Sequence, residues 1–157
     1  GVMRAAHLVC HCLLVETSAG LVLVDTGLGT RDAYRPHPRL SHAMTALLRP
    51  RLRFEQTAFA QVRALGFAPS DVRHIVLTHL DFDHAGGLQD FPDARVHVMA
   101  DELDAVQHRR GWVARRRYRP AQWDGGTRWR TYRAQGSRWF GFERVRELDG
   151  LGEDIAM

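Results

Sequence analysis

Apolar positions along this chain fall into short runs punctuated by glycine, proline and Ser/Asp turns. His7 to Thr17 (HLVCHCLLVET) is aliphatic and β-branched and predicts a strand. Ser18-Ala19-Gly20 is a turn, and Leu21 to Asp25 (LVLVD) a second, buried strand, so the two form a hairpin. Thr26-Gly27-Leu28-Gly29 leaves the sheet as a glycine loop. Residues 31–53 read as irregular at first, with Pro36 and Pro38, and then as a short helix over Ser41 to Leu48 stopped by Pro50. Glu55 to Leu65 predicts a helix, because Phe59, Val62 and Leu65 recur at helical spacing and Gly66 follows at the C-cap. Val72 to Thr78, with the run Ile75-Val76-Leu77, and Arg95 to Met99 predict two buried strands. Asp101 to Arg109 predicts a helix with an acid in its first turn. Strands alternating with helices argue for a layered α/β domain. After Gly111 the pattern weakens, and only Arg128 to Tyr132 and Trp139 to Val145 read as short strands.

Composition narrows the class. A chain of 157 residues with 45% hydrophobic and 25% charged residues is that of a folded, soluble domain or a large piece of one. No apolar run approaches the roughly 18–20 residues that span a bilayer. Cys10 and Cys12 are one residue apart and make no disulfide framework, and no leader is visible, so the expected compartment is a reducing cytoplasm.

Charge is unevenly placed. All 22 basic residues are arginine, and the formal net charge is +4. Residues 109–146 hold 12 Arg against Asp124 and Glu143, a net of +10, while the rest of the chain carries a net of −6. With Trp112, Trp123, Trp129 and Trp139 interleaved, this segment reads as a lid or solvated surface, ahead of a site for an acidic small substrate and ahead of a nucleic-acid surface. Cys10-His11-Cys12 reads as a buried strand with both thiols on one face rather than a metal clip, since no second cysteine pair completes a zinc site. His37 and His42 read as surface loop.

The chemistry concentrates in His79-x-Asp81-x-Asp83-His84. Four potential metal ligands lie within six residues, directly after a buried strand, where α/β sheets build their sites. Imidazole and carboxylate together suit Zn, Fe, Mn or Co. Two ligand pairs this close suit a two-cation site, with ions roughly 3.5–4 Å apart. Ala85-Gly86-Gly87 is expected to turn the chain tightly and leave room above the metals.

Thr78 to Leu88 (THLDFDHAGGL) resembles the metal-binding signature of the metallo-β-lactamase superfamily, His-x-His-x-Asp-His followed by a small residue and glycines. The hairpin leading into Val24-Asp25-Thr26-Gly27 resembles that family's first motif. The resemblance covers most of residues 7–108 and leans toward the N-acyl homoserine lactone lactonase branch. It implies an α/β fold of the αββα sandwich type. It also implies that His79 and Asp81 bind one divalent metal and Asp83 and His84 a second. Asp83 would further contact the bridging hydroxide nucleophile and take the proton shed in turnover, and Asp25 would orient the ligand loop from behind. Zinc is the first expectation.

Two departures qualify the resemblance. The family's second histidine is Asp81 here, an oxygen ligand that makes iron or manganese more plausible; alternatively Asp81 is not a ligand. The family's later ligands have no counterpart either: no histidine follows His108, and Asp149 and Asp154 stand in no ligand motif. The chain is therefore expected to hold part of such a domain: an N-terminal αβ half over 1–108, an Arg/Trp-rich insertion or lid over 109–147, and the start of the second half over 148–157. Its inner sheet face should be apolar and lack its partner. The expected activity is metal-dependent hydrolysis of an ester, lactone or thioester of a small-molecule substrate. The alternatives are an incomplete fragment with a weak metal site and a nucleic-acid-processing member of the same superfamily. Neither a nucleic acid nor a membrane is the expected partner.

Overall fold

Five strands form one mixed sheet in the order β1-β2-β3-β4-β5, with a separate two-stranded hairpin β6-β7. The computed structural model describes residues 8–123, 125–152 and 155–157, without the side chain of Arg116; His7, Asp124 and Asp154 lie outside the described residues. β1 (Leu13–Thr17) and β2 (Gly20–Val24) are antiparallel, and β3 (Val72–Val76), β4 (Arg95–Met99) and β5 (Arg128–Tyr132) run parallel to β2. Parallel neighbours require crossovers. Helices α1 (Thr30–Tyr34), α2 (His42–Leu48) and α3 (Ala58–Ala64) link β2 to β3, α4 (Phe82–Ala85) links β3 to β4, and α5 (Ala100–His108) and α6 (Gly111–Arg117) link β4 to β5. Among the described residues no helix is long and apolar enough to cross a membrane.

Several boundaries differ from the sequence expectation, each for a local reason. β1 begins at Leu13, not near His7. Leu13 pairs with Val24, the last residue of β2, so residues 8–12 have no strand to pair with, and Leu8 and Val9 are exposed. Cys10-His11-Cys12 is accordingly not a buried strand: Cys10 is exposed and Cys12 half-buried. The helix expected over Glu55–Leu65 is split. The Thr57 hydroxyl accepts the Ala60 N–H and starts α3 as an N-cap, leaving Phe54–Gln56 as a 3-10 turn. α1 forms in a segment read as irregular, with the Asp32 carboxylate accepting the Gly29 N–H at 3.0 Å. The strand expected over Trp139–Val145 is a hairpin, β6 (Ser137–Trp139) and β7 (Phe142–Val145), turned at Phe140 and Gly141, both at positive φ.

The sheet has two dissimilar faces. Leu21, Leu23, Ile75, Val96 and Val98 point to the helical side, where they pack with Val62, Leu77, Leu80, Ala85, Leu88, Phe91 and Val106. Val22, Val76, Met99 and Tyr132 form the opposite cluster with Leu148 and Leu151. This second face was expected to be apolar and open, and it is neither throughout. His74 and His97 are buried, and His97 bonds to the Tyr132 hydroxyl of that face. The described part of 146–157 folds back on itself, Arg146 and Met157 exchanging backbone bonds, and buries Leu148 and Leu151 there. Residues 109–147 are likewise not one inserted block, because β5 pairs with β4 across five residues and is part of the main sheet.

Candidate metal centre

The site is built where β2 and β3 end side by side. Asp25, next after β2, adopts a left-handed φ of 57°, a conformation that aspartate tolerates better than most side chains. Its backbone N–H bonds to Val76 O at 2.9 Å, and its carboxylate turns to the end of β3. Oδ1 accepts the Thr78 N–H at 2.9 Å and Oδ2 accepts the Thr78 hydroxyl at 2.7 Å. The Thr78 N–H, two residues beyond the end of β3, is thereby spent on Asp25 and not on a neighbouring strand. Asp25 Oδ2 also accepts from His84 Nδ1 at 2.8 Å.

These bonds assign the tautomers. The Thr78 hydroxyl gives its proton to Asp25, so its contact with His79 Nδ1 at 3.0 Å has the ring donating. His84 Nδ1 likewise donates to Asp25. Both imidazoles therefore carry a proton on Nδ1, so that in the neutral ring the lone pair is on the outward Nε2, the state a metal ligand needs.

The outward nitrogens each face a carboxylate. His79 Nε2 is 3.4 Å from Asp81 Oδ2, and His84 Nε2 is 3.8 Å from Asp83 Oδ2. The two rings lie 3.9 Å apart between centroids. Two ligands bound at ~2.0–2.2 Å to one tetrahedral cation stand about 3.3–3.6 Å apart. The first pair falls in that range and the second lies just outside it. The donor chemistry thus fits a divalent cation at each pair. Among the described residues, however, no three His, Cys, Asp or Glu side chains gather into one cage. Asp81 has a second partner that sequence spacing did not show: the Arg117 Nε–H, at the end of α6, donates to its Oδ1.

The loop is held firmly from below. Between half-buried His79 and Asp81, Leu80 is fully buried and its N–H bonds to the Glu102 carboxylate of α5 at 2.8 Å. Thr26 bonds to His84 O through both its N–H and its hydroxyl, and Gly87 N–H returns to the Thr26 hydroxyl. Gly86 and Gly87 do not serve the tight turn expected of them, as both have right-handed φ, −62° and −90°. They are required by proximity: a Cβ on Gly86 would meet Asp32 Oδ2 at 2.6 Å, and one on Gly87 would meet Thr26 O at 2.8 Å. Deeper still, buried Arg39 bonds to Asp32 Oδ1, Gln89 Oε1, Ala121 O and Gly86 O.

The cysteines border this centre. A Cβ on Gly27 would sit 3.5 Å from both Cys10 Cβ and Cys12 Sγ. Burial, the Asp25 carboxylate and the neighbouring Cys10 push the Cys12 thiol up to about 12. Burial and Asp83 raise Cys10 as well. Both thiols are therefore neutral. His37 and His42 stack on each other at 3.5 Å between centroids. Thr78 was detectable in sequence, as the residue directly before His79; Arg117 and Glu102 carried no signal, because only the packing of α5 and α6 brings them to the loop.

The mixed α/β sheet thus presents paired imidazoles and carboxylates beyond the end of β3, beside the Asp25 loop that follows β2. The chain belongs to the metallo-beta-lactamase superfamily, whose family model matches residues 6–153. It is 45% identical over 150 residues to a probable metallo-hydrolase of Mycobacterium tuberculosis, covering 96% of this chain and 48% of that protein. It is 29% identical over 110 residues to an N-acyl homoserine lactonase of Bacillus thuringiensis, covering 70% of this chain and 44% of that one. A solved N-acyl homoserine lactone hydrolase, holding the product N-hexanoyl-L-homoserine at its catalytic metal center, superposes with a TM-score of 0.62 at 24% identity, covering 83% of this chain and 50% of that chain. The chain spans about half the length of the curated relatives it matches.

Proposed function

We propose that this chain supplies the N-terminal half of a hydrolytic centre that opens a lactone, ester or thioester of a small-molecule substrate, with a lactone as the first choice. The observation that carries this reading is the bonding of Asp25 to His84 and, through Thr78, to His79, which turns both Nε2 lone pairs outward beside Asp83 and Asp81. The likeness to N-acyl homoserine lactonases supports the lactone class.

In this reading His79 with Asp81, and Asp83 with His84, hold two divalent cations, zinc first and iron or manganese as alternatives because Asp81 adds an oxygen ligand. A bound cation lowers the pKa of water toward neutrality and polarises the scissile carbonyl. The chain's own residues do the rest. Asp25 and Thr78 fix both rings. Asp83, whose side chain is 37% exposed and the most open of the four, is placed to accept the proton released in turnover. α6 stands at the rim of the site through Arg117 and is the part of 109–147 that the reading treats as lid.

Nucleic acid is not the partner in this reading, because several arginines of the basic segment are already engaged: Arg117 with Asp81, Arg119 with the Arg39 and Pro38 carbonyls, and Arg146 over the Tyr132 ring. The two free thiols support a cytoplasmic setting.

The test has two parts. Elemental analysis of the purified chain should find divalent metal that His84→Ala removes. The chain joined to the continuation of its reading frame should hydrolyse members of a panel of acyl homoserine lactones, aryl esters and thioesters. Metal-free protein indifferent to His84→Ala, with no turnover on that panel, refutes the reading.

A further inference from the structure

The two ligand pairs are not equivalent. Asp81 faces His79 Nε2 with one carboxylate oxygen and receives the Arg117 Nε–H on the other. Asp83 faces His84 at 3.8 Å and, among the described side chains, forms no ion pair with an arginine. Among the described side chains, one pair thus carries an arginine counter-ion and the other carries none.

Arg117 is held for this position. It is the last residue of α6, its guanidinium carbon lies 5.1 Å from the centroid of the Tyr118 ring, and Tyr118 is buried. Glu102, which anchors Leu80, adds a second nearby carboxylate. The Arg117 side chain is nonetheless 46% exposed, so solvent is available to it if it leaves. A guanidinium has no lone pair and cannot serve as a ligand. Beside a divalent cation it is only a like charge. The residue at 81 matters here: a neutral imidazole would offer a guanidinium at most one hydrogen-bond acceptor and no charge, whereas a carboxylate forms an ion pair with it.

On the reading that residues 79–84 hold metal, we propose that Arg117 is a displaceable counter-ion of the His79–Asp81 pair. It occupies Asp81 in the metal-free chain and leaves when a cation binds. The Asp83–His84 pair therefore fills first and the His79–Asp81 pair second and more weakly.

The test is calorimetric titration of the metal-free chain with Co2+, beside Arg117→Gln, Arg117→Lys, Asp81→Asn and His84→Ala. The wild type should bind in two unequal steps. Arg117→Gln should tighten the weaker step by at least about tenfold, the lower end of what a unit charge within ~4–6 Å does to a carboxylate proton, and leave the stronger step unchanged. Arg117→Lys should fall between, because lysine keeps the charge and loses the fork. Asp81→Asn should abolish the weaker step, and His84→Ala the stronger. A readout free of variants is the Arg117 Nε–H resonance in the wild type, titrated with diamagnetic Zn2+. It should be protected without metal and released across the weaker step.

Equal affinities in wild type and Arg117→Gln, or an Nε–H signal unmoved at saturation, overturn the proposal while leaving the metal reading intact. So does a single binding step at Asp83–His84 that neither Arg117→Gln nor Asp81→Asn alters. No cation binding in any variant removes both.

Discussion

His84 donates its Nδ1 proton to Asp25 at 2.8 Å, across 59 residues of chain. This bond joins the two motifs of the site, because the same carboxylate also holds Thr78 and, through it, His79. Asp25→Asn keeps the shape and removes the charge that fixes both rings. It should weaken metal binding by about 10- to 100-fold, the usual effect of losing such a partner, with little change in the far-ultraviolet circular dichroism spectrum. A competition titration against a chromophoric chelator measures it. Unchanged affinity would show that the Nε2 orientation does not depend on Asp25.

A second network predicts a pH dependence. The Asp149 N–H donates to the Tyr132 hydroxyl, which donates to His97 Nδ1, leaving His97 Nε2–H to donate to His74 Nδ1 at 2.9 Å. Every acceptor in this chain is used only when both rings are neutral. Burial, His74, Arg95 and Arg130 lower His97 to about 4, opposed by Asp149, and burial and Arg95 lower His74. The folded pKa lies below the ordinary 6.5, so the unfolded chain takes up protons that the folded chain refuses. The stabilisation is intact above pH 6.5 and is lost as pH falls from there toward about 4, with His97 costing up to about 3 kcal/mol. Urea midpoints between pH 7.5 and 4 should show this slope, and His97→Gln should flatten it. Parallel slopes in the two proteins would exclude the pair as its source.

The strands that carry the site were legible because their apolar runs are continuous, as in any sheet buried on both faces. The four residues of 79–84 were legible because their ligand chemistry is local in sequence. What escaped is non-local or depends on single hydrogen bonds. Thr57 splits a helix that its apolar period alone would continue. β1 stops short because β2 has ended, which no property of residues 8–12 announces. β5 reads as part of an arginine-rich lid, yet Trp129 and Tyr132 face opposite sides of the main sheet in register with Val96 and Met99. Arg117 meets Asp81 from 36 residues away, through two helices whose packing no local pattern encodes.

Gly86 tests whether the glycines serve proximity or backbone freedom. Its φ of −62° suits any residue, so Gly86→Ala meets no backbone strain. The added Cβ would lie 2.6 Å from Asp32 Oδ2 and 2.7 Å from Gly27 O. Overpacking of this kind costs about 1–3 kcal/mol, and it should displace His84 and weaken metal binding together with stability. Gly66→Ala is the contrast: its φ of +92° strains an alanine, but the space around it is open. It should cost about 1–2 kcal/mol of stability and leave metal affinity unchanged. Equal effects of the two substitutions on affinity would contradict the packing explanation.

Arg39 and Asp32 form the buried ion pair under the site, with Nε to Oδ1 at 2.7 Å and Asp32 wholly inaccessible. The pair is satisfied on all sides: Asp32 also accepts from Gly29 and Gln122, and Arg39 reaches Gln89, Ala121 and Gly86. One guanidinium fork thus binds α1, the turn after α4 and the chain leading to β5. Arg39→Met keeps the stem and strands the carboxylate. Leaving a buried charge unpaired costs about 3–5 kcal/mol, a large fraction of the stability of a domain this size. Arg39→Lys should recover only part, since a single ammonium cannot meet the partners of a planar fork. Asp32→Asn combined with Arg39→Met should be less destabilised than Arg39→Met alone, because the stranded charge is gone. Urea unfolding of the four proteins tests this directly. A double variant no more stable than Arg39→Met would mean that the bonds to Gln89, Ala121 and Gly86, and not the charge on Asp32, set the cost.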